Sequence, residues 1–462
     1  MSIMKRTIHI LILCAAVASS CTKYLDIKPY GEVIPKTADE FSSLLNTILE
    51  DIDYGEESIF GNPSSAVDVE CYSDNFETNL TAYPSGNNLA LYIGSHLSGK
   101  QHLYSDLYEV IRDCNIVIDN LEEKDTRLGR DVLGTAYALR GVCYYNLLRN
   151  FCEPPVGNMK GLGVPLVTKF DMEARPVRST IESTVALAES DMLTAISYNI
   201  EDKIYRFNSD VLEGFLARLY FWAGNWSKAI LYAEKVLAKY PLLSGASYTE
   251  MMTSRLAPKG NMLMKAYIIS ESSVNIGYNG SESMLNARPV SRRFVALFPE
   301  KEKDIRYSMS FNSKRVQKKY GFGCLRSAEM QLILMESLYH SGDKTGALDA
   351  LNAFRKMRIE GVEDFTMENL PSVDEEEYVT VDVYGEPLTP LLNAILNERR
   401  KELFMEGDRW YELKRNGRPE FWAAKQGRKY TTYRFMYTFP LPIQDVDIVD
   451  GLIQNPGYDK VQ

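Results

Sequence analysis

Ala217-Arg218-Leu219-Tyr220-Phe221-Trp222-Ala223-Gly224-Asn225-Trp226-Ser227-Lys228-Ala229-Ile230 can be laid over Met335-Glu336-Ser337-Leu338-Tyr339-His340-Ser341-Gly342-Asp343-Lys344-Thr345-Gly346-Ala347-Leu348 at a constant offset of 118 positions. In both copies an apolar helical run stops at Gly followed by Asn or Asp, and a second helical run opens with Ala and an aliphatic residue. Gly enters the left-handed conformation that ends a helix without a Cβ clash, and Ala lets the second helix pack closely on the first. Two such copies are the signature of tetratricopeptide-type hairpins, which bind partners through stacked surfaces and carry no chemistry of their own.

Helical pairs extend on both sides of this repeat. Residues 104 to 122 carry Leu107, Ile111, Cys114, Ile118 and Leu121 at spacings of three or four, and residues 131 to 149 carry Val132, Ala136, Leu139, Cys143 and Leu147 likewise. Each stripe is wide enough to pack against the other. Gly157, Gly161 and Gly163 break the pattern, Val164-Pro165-Leu166-Val167 reads as a short extended piece, and another helix is expected over about 179 to 198. The expected fold is mainly α, with helical hairpins forming a scaffold over about 101–240 and 325–418. Two irregular stretches interrupt it, about 71–99 and 245–323, rich in Tyr, Asn, Ser and Gly. Long excursions from a helical scaffold are more often functional than accidental. The tail from Tyr430 to Val449 reads as strand and loop.

At the N-terminus, Lys5 and Arg6 precede an apolar run from Ile8 to Val17 and then Ala18-Ser19-Ser20-Cys21. A basic region, a short apolar core and small residues are the order of an export signal, and the run is too short to span a bilayer. The final four residues resemble a bacterial lipobox, so residues 1–20 are expected to be removed, Cys21 to carry lipid, and 21–462 to form a single domain. Of the seven cysteines, Cys71, Cys114, Cys143, Cys152 and Cys324 then remain in the body, an odd number in mostly apolar contexts. They read as small buried hydrophobes, with one opportunistic disulfide left open.

The 462 residues include 62 acidic and 52 basic side chains, for a net charge of −10. That balance, without a basic block, argues against nucleic-acid binding, which draws its affinity from neutralised phosphates. With 45% hydrophobic residues the chain has ample core material. The 29 Tyr and 18 Phe stand out, because an aromatic face beside a hydroxyl suits amphiphilic ligands such as sugars and peptides. No zinc spacing, nucleophile elbow, phosphate loop or dinucleotide fingerprint occurs. A carboxylate pair for glycoside hydrolysis, whose members can lie far apart in a chain, stays open, but a helical scaffold supplies no strand-end pocket of the kind such enzymes use, and no catalytic residue, metal or cofactor is expected. Glu398-Arg399-Arg400-Lys401-Glu402 invites a catalytic reading, but its spacings suit a structural ion network along and between helices.

Further motifs follow one another along the chain: Cys21 with Leu25-Asp26, Arg112-Asp113-Cys114-Asn115, Ala138-Leu139-Arg140-Gly141 with Tyr144 to Arg149, and Gly163-Val164-Pro165-Leu166. They continue through Arg326 to Met330, Leu351 to Arg355, Asn397 to Leu403, Glu406 to Trp410 and Gln454-Asn455-Pro456-Gly457-Tyr458. In this order they resemble the SusD/RagB family, the starch-utilisation-system type of outer-membrane nutrient-binding lipoprotein. Phe151-Cys152-Glu153 departs from the family's usual aromatic-Gly pair before Pro. The resemblance implies four tetratricopeptide-like units, a lipid anchor facing the cell exterior, and partnership with a SusC-like TonB-dependent outer-membrane barrel that imports the ligand. That ligand is an oligosaccharide or polysaccharide, or, in the RagB branch, a peptide or other nutrient.

Binding residues vary too much in the family to be carried over, so candidates come from composition and placement. A solvent-facing site is expected where the two excursions meet, with Tyr72, Tyr83, Tyr92 and Tyr278 as platforms and Asp74, Asn75, Asn88 and Asn279 as hydrogen-bonding groups. A sugar ring's C–H face can cover an aromatic ring while its hydroxyls reach amides and carboxylates.

Overall fold

The computed structural model describes residues 35–54, 59, 63–77, 92–95, 97–254, 260–265, 288–425 and 428–458. Cys21, Tyr83, Asn88, Tyr278 and Asn279 lie outside the described residues.

Helix α1 (Ala38–Tyr54) opens on a reciprocal cap: the Thr37 hydroxyl accepts from the Glu40 amide at 3.3 Å while the Glu40 carboxylate accepts from the Thr37 amide at 3.1 Å. After α2 (Pro63–Cys71), helices α3 (Lys100–Asn120) and α4 (Arg127–Phe151) pair through the expected stripes, with Leu107, Ile111 and Cys114 facing Val132, Ala136, Leu139 and Cys143, all fully buried. Each large aliphatic side chain buried there contributes roughly 1.5–3 kcal/mol. Strands β1 (Leu162–Pro165) and β2 (Arg178–Thr180) form an antiparallel pair leading into α5 (Ile181–Tyr198), which packs on α4. Arg140 ties three helices together. Its guanidinium reaches both Asp191 oxygens on α5 at 2.7 Å and Asn115 Oδ1 on α3 at 2.7 Å.

Helices α6 (Ser209–Ala223) and α7 (Trp226–Lys239) form the first copy of the repeat. The 245–323 stretch, expected to be irregular, holds α8 (Gly245–Thr253), β3 (Met262–Lys265), α9 (Arg292–Ala296) and α10 (Ile305–Ser310). All are short, and weak periodicity over so few residues hides them from sequence reading. Strand β4 (Cys324–Arg326) pairs antiparallel with β3 and leads into the second copy, α11 (Ser327–His340) and α12 (Lys344–Lys356).

The two copies share their turn atom for atom. Gly224 has φ +74° and Gly342 φ +95°, so both lie in the left-handed region. The Asn225 amide donates to the Tyr220 carbonyl at 2.8 Å, and the equivalent Asp343 amide donates to Leu338 at 3.0 Å. Both polar residues then cap the next helix, Asn225 accepting from the Lys228 amide and Asp343 from the Gly346 amide. Trp226 at the start of α7 stacks on His340 at the end of α11, with centroids 4.7 Å apart, so the hairpins meet beside these turns.

Helices α13 (Pro390–Glu402) and α14 (Arg409–Arg415) follow, then the β5 (Phe421–Lys425) and β6 (Arg428–Thr432) hairpin and α15 (Ile443–Ile448); with a 3-10 turn at Arg434–Tyr437, α15 puts helix into the tail expected to be strand and loop. The 398–402 motif forms the expected ion network. Glu402, with no exposed surface, meets Arg326 at 2.7 Å, Arg358 at 2.8 Å and Arg306 at 3.5 Å, and Glu398 meets Arg306 and Lys401, each at 2.7 Å. Burial opposes charge on Glu402, but the arginines prevail and hold its pKa well below the carboxylate range. All five body cysteines are buried and free.

Candidate functional site

The two excursions meet, and the junction is a backbone staple. Phe76 and Val290 form an antiparallel bridge, the Glu77 amide donates to Pro289 at 2.9 Å, and the Ser291 amide donates to Asn75 at 2.8 Å. Arg288 adds hydrogen bonds to the carbonyls of Cys71 at 2.8 Å and Glu77 at 3.1 Å. Beneath lies an apolar cluster in which Phe294 stacks on Phe404 at 4.4 Å and Val67, Cys71 and Phe76 pack around them.

This junction consumes three of the proposed ligand residues. Tyr72 is 2% exposed, edge-on to Trp410 at 6.1 Å, with the Lys100 ammonium 5.5 Å from its ring. Asp74 is gripped at both oxygens by Arg409, at 2.7 and 2.8 Å, and meets Arg400 at 3.2 Å. Burial pushes the Asp74 pKa up, yet Arg400 and Arg409 outweigh it and hold the carboxyl far below the usual range. Asn75 accepts from Arg400 at 2.7 Å and donates to Glu70 at 2.5 Å, and it is fully buried. Tyr72, Asp74 and Asn75 are therefore interior residues rather than solvent-facing contacts, because side chains more than 300 positions away fold onto them, Trp410 onto Tyr72 and Arg400 and Arg409 onto Asn75 and Asp74.

Tyr92 is half-buried, its ring 5.5 Å from Tyr430 of β6 and its hydroxyl 3.7 Å from Met436 Sδ. From it an aromatic surface runs back to the staple. In the β5–β6 register Ala423 faces Tyr430 and Trp422 faces Thr431, and side chains alternate between faces along each strand. Phe421 and Tyr430 thus share the inward face, where Phe421 lies 5.2 Å from Tyr378, and Arg293 of α9 sits 4.4 Å over the Tyr378 ring. Trp422 takes the opposite face, 46% exposed, with the Lys429 ammonium 5.4 Å from its ring. Tyr433, 47% exposed, lies parallel to Phe435 at 6.1 Å.

Exposed rings held on a paired hairpin beside an ammonium and the Thr431 hydroxyl offer what a sugar needs: an apolar face and polar groups at its edge. Tyr378, Phe421, Trp422, Tyr430 and Tyr433 were not among the sequence candidates. Two β-prone runs separated by Gln426-Gly427 are the hairpin signal that could have drawn attention to them. Among the described residues, no group of three or more His, Cys, Asp or Glu side chains is placed to hold a metal, and no helix is long and apolar enough to cross a membrane.

Helices stacked in pairs, carrying short two-stranded sheets and an aromatic surface, define a mainly α-helical scaffold protein. Two family models match it, one described as starch-binding and associating with the outer membrane over residues 23–221, the other as the SusD family over residues 300–458. The chain belongs to the SusD/RagB family. Among solved structures it is similar to a SusD superfamily protein from Bacteroides thetaiotaomicron, with 21% identity and a TM-score of 0.70 over 91% of this chain and 100% of that one. It is also similar to a SusD-like carbohydrate-binding protein from Bacteroides vulgatus, with 18% identity and a TM-score of 0.66 over 90% and 98%. A laminarin-binding SusD-like protein shares 17% identity with a TM-score of 0.59 over 92% and 100%. A comparison with the curated proteins finds no match.

Proposed function

We propose that the protein is a cell-surface lipoprotein that captures oligosaccharides and hands them to a SusC-like TonB-dependent barrel in the outer membrane, acting as a binder and not as an enzyme. The observation that carries the glycan reading is the Trp422 surface, with exposed rings fixed on a hairpin beside the junction of the two excursions. Family membership and the laminarin-binding neighbour support the same ligand class. Residues 21–462 act as one domain, with Cys21 as the lipid-bearing first residue. Tyr92 remains a platform candidate, joined by Trp422 and Tyr433. Weak contacts suffice for such a device, because tethering beside an entry channel raises the effective ligand concentration.

Affinity electrophoresis and calorimetry against laminarin, starch and other soluble glycans test the reading, with a peptide panel in parallel. Trp422→Ala and Tyr433→Ala are expected to weaken binding about tenfold, roughly 1.4 kcal/mol, without moving the melting temperature. Binding of peptides alone, or glycan binding unaffected by both variants, would overturn it.

A further inference from the structure

A cavity of about 290 Å³ lies between α2, α3, α4 and α14, with no residue of the β5–β6 hairpin in its lining. Its walls carry carboxylates and cations in comparable number, but they are not equally engaged. Glu329 is held by Arg218 at 2.8 and 2.6 Å, Asp408 by Arg399 at 2.7 and 2.6 Å, and Glu406 by Arg326 at 2.8 Å and Lys319 at 2.6 Å. Asp106 sits on the exposed side of α3, where solvent screens its charge. Lys100 and Arg149 remain. Among the described residues, no carboxylate lies within ion-pair distance of either, and neither side chain donates a hydrogen bond to a protein group there.

Both cations instead lie over aromatic rings. The Arg149 guanidinium is 3.4 Å from the centroid of Tyr411, and the Lys100 ammonium is 5.7 Å from that of Phe439. A cation over a ring keeps its N–H groups available, and a guanidinium so placed presents a planar fork suited to two oxygens of one anion. Burial lowers the Lys100 pKa against the pull of Asp68, which fits an ammonium short of counter-charge. The volume sits at the small end of ligand pockets, near ~300 Å³, enough for one sugar ring and too little for a chain.

We infer that this cavity is a subsite for an anionic sugar ring, whose carboxylate or sulfate ester is held by Lys100 and Arg149. The inference deepens the glycan reading and rests on it: the Trp422 surface would hold neutral rings of a chain, and the cavity an acidic one. Nothing is transferred or cleaved; the anion replaces water around the two cations.

Calorimetry of the mature protein would compare galacturonate and glucuronate oligosaccharides, sulfated counterparts, and uncharged galactose and glucose oligosaccharides of equal length. At least one anionic series is expected to bind about tenfold tighter than its uncharged counterpart, with the margin shrinking at high salt. Lys100→Met and Arg149→Met should each abolish that margin, and Arg149→Lys, which keeps the charge without the fork, should retain part of it. The uronate and sulfate arms show which anion the site prefers. A missing margin, or one that survives both methionine variants, overturns the inference, as does binding of peptides in place of acidic sugars with loss in the same variants. Neutral sugars binding through Trp422 without an anionic margin would sink the subsite and leave the surface reading standing. No binding of any sugar would sink both.

Discussion

Gly224 and Gly342 occupy the same turn position in the two repeat copies, yet adding a methyl group should cost different amounts at each. Both have positive φ, +74° and +95°, where an L-residue with a Cβ loses about 1–2 kcal/mol. Stiffening the unfolded chain returns about 0.4–1 kcal/mol of this. Gly342→Ala should therefore cost about 1 kcal/mol, since a Cβ there meets nothing within 4 Å. At Gly224 the new Cβ would lie 2.8 Å from Val156 Cγ2, closer than packed carbons come, and relieving such overpacking typically costs a further 1–3 kcal/mol, so roughly 2–4 kcal/mol in all. Urea unfolding followed by circular dichroism would compare the two alanine variants, Val156→Ala, and the Gly224→Ala/Val156→Ala double variant. If the excess at Gly224 comes from this contact, the double variant should be more stable than additivity predicts by about 1 kcal/mol or more. Equal losses at both glycines, or strict additivity with Val156→Ala, would refute the reasoning.

Removing the carboxylate at Asp74→Ala leaves Arg400 and Arg409 buried with one partner fewer and should cost about 3–5 kcal/mol of stability by thermal or urea unfolding, while Tyr72→Phe should leave glycan affinity unchanged in calorimetry. Burial opposes charge on Glu398, but Arg306 and Lys401 outweigh it and hold its pKa at about 2, against an ordinary value of 4.5. A depressed carboxylate pKa contributes stability that is complete above about 4.5 and lost as the pH falls towards 2, so Glu398→Gln should flatten the acid limb of an unfolding-versus-pH curve; an unchanged limb would exclude Glu398 as a contributor. Cys21→Ala should release the protein from the membrane fraction, and a variant that still sediments with membranes would contradict lipid anchoring at that residue.

The repeat turn, the α3–α4 stripes and the Glu398–Lys401 pair could be read in the sequence because each is a local pattern: a Gly-Asn or Gly-Asp boundary, a spacing of three or four, or opposite charges one turn apart, whereas the arginines that surround Glu402 come from 44 to 96 positions away. The fate of Tyr72, Asp74 and Asn75 could not. Their segment carries the polar, aromatic composition of a binding loop, and only the arrival of Arg400 and Arg409 turns it into core. Composition reports what a residue could touch; burial depends on partners hundreds of positions away. Trp422 shows the converse. It belongs to a short hairpin whose two faces differ only by alternation, and which face meets solvent is set by Tyr378 and Tyr92 packing on the other.

The staple that joins Asn75, Phe76 and Glu77 to Pro289, Val290 and Ser291 also sets which substitutions the junction tolerates. Its bonds run between main-chain groups, which every residue other than proline can supply, so the join does not depend on side-chain identity. Proline at Glu77 or Ser291 would instead remove a donor from the bridge that lies over the packing of Phe294 on Phe404.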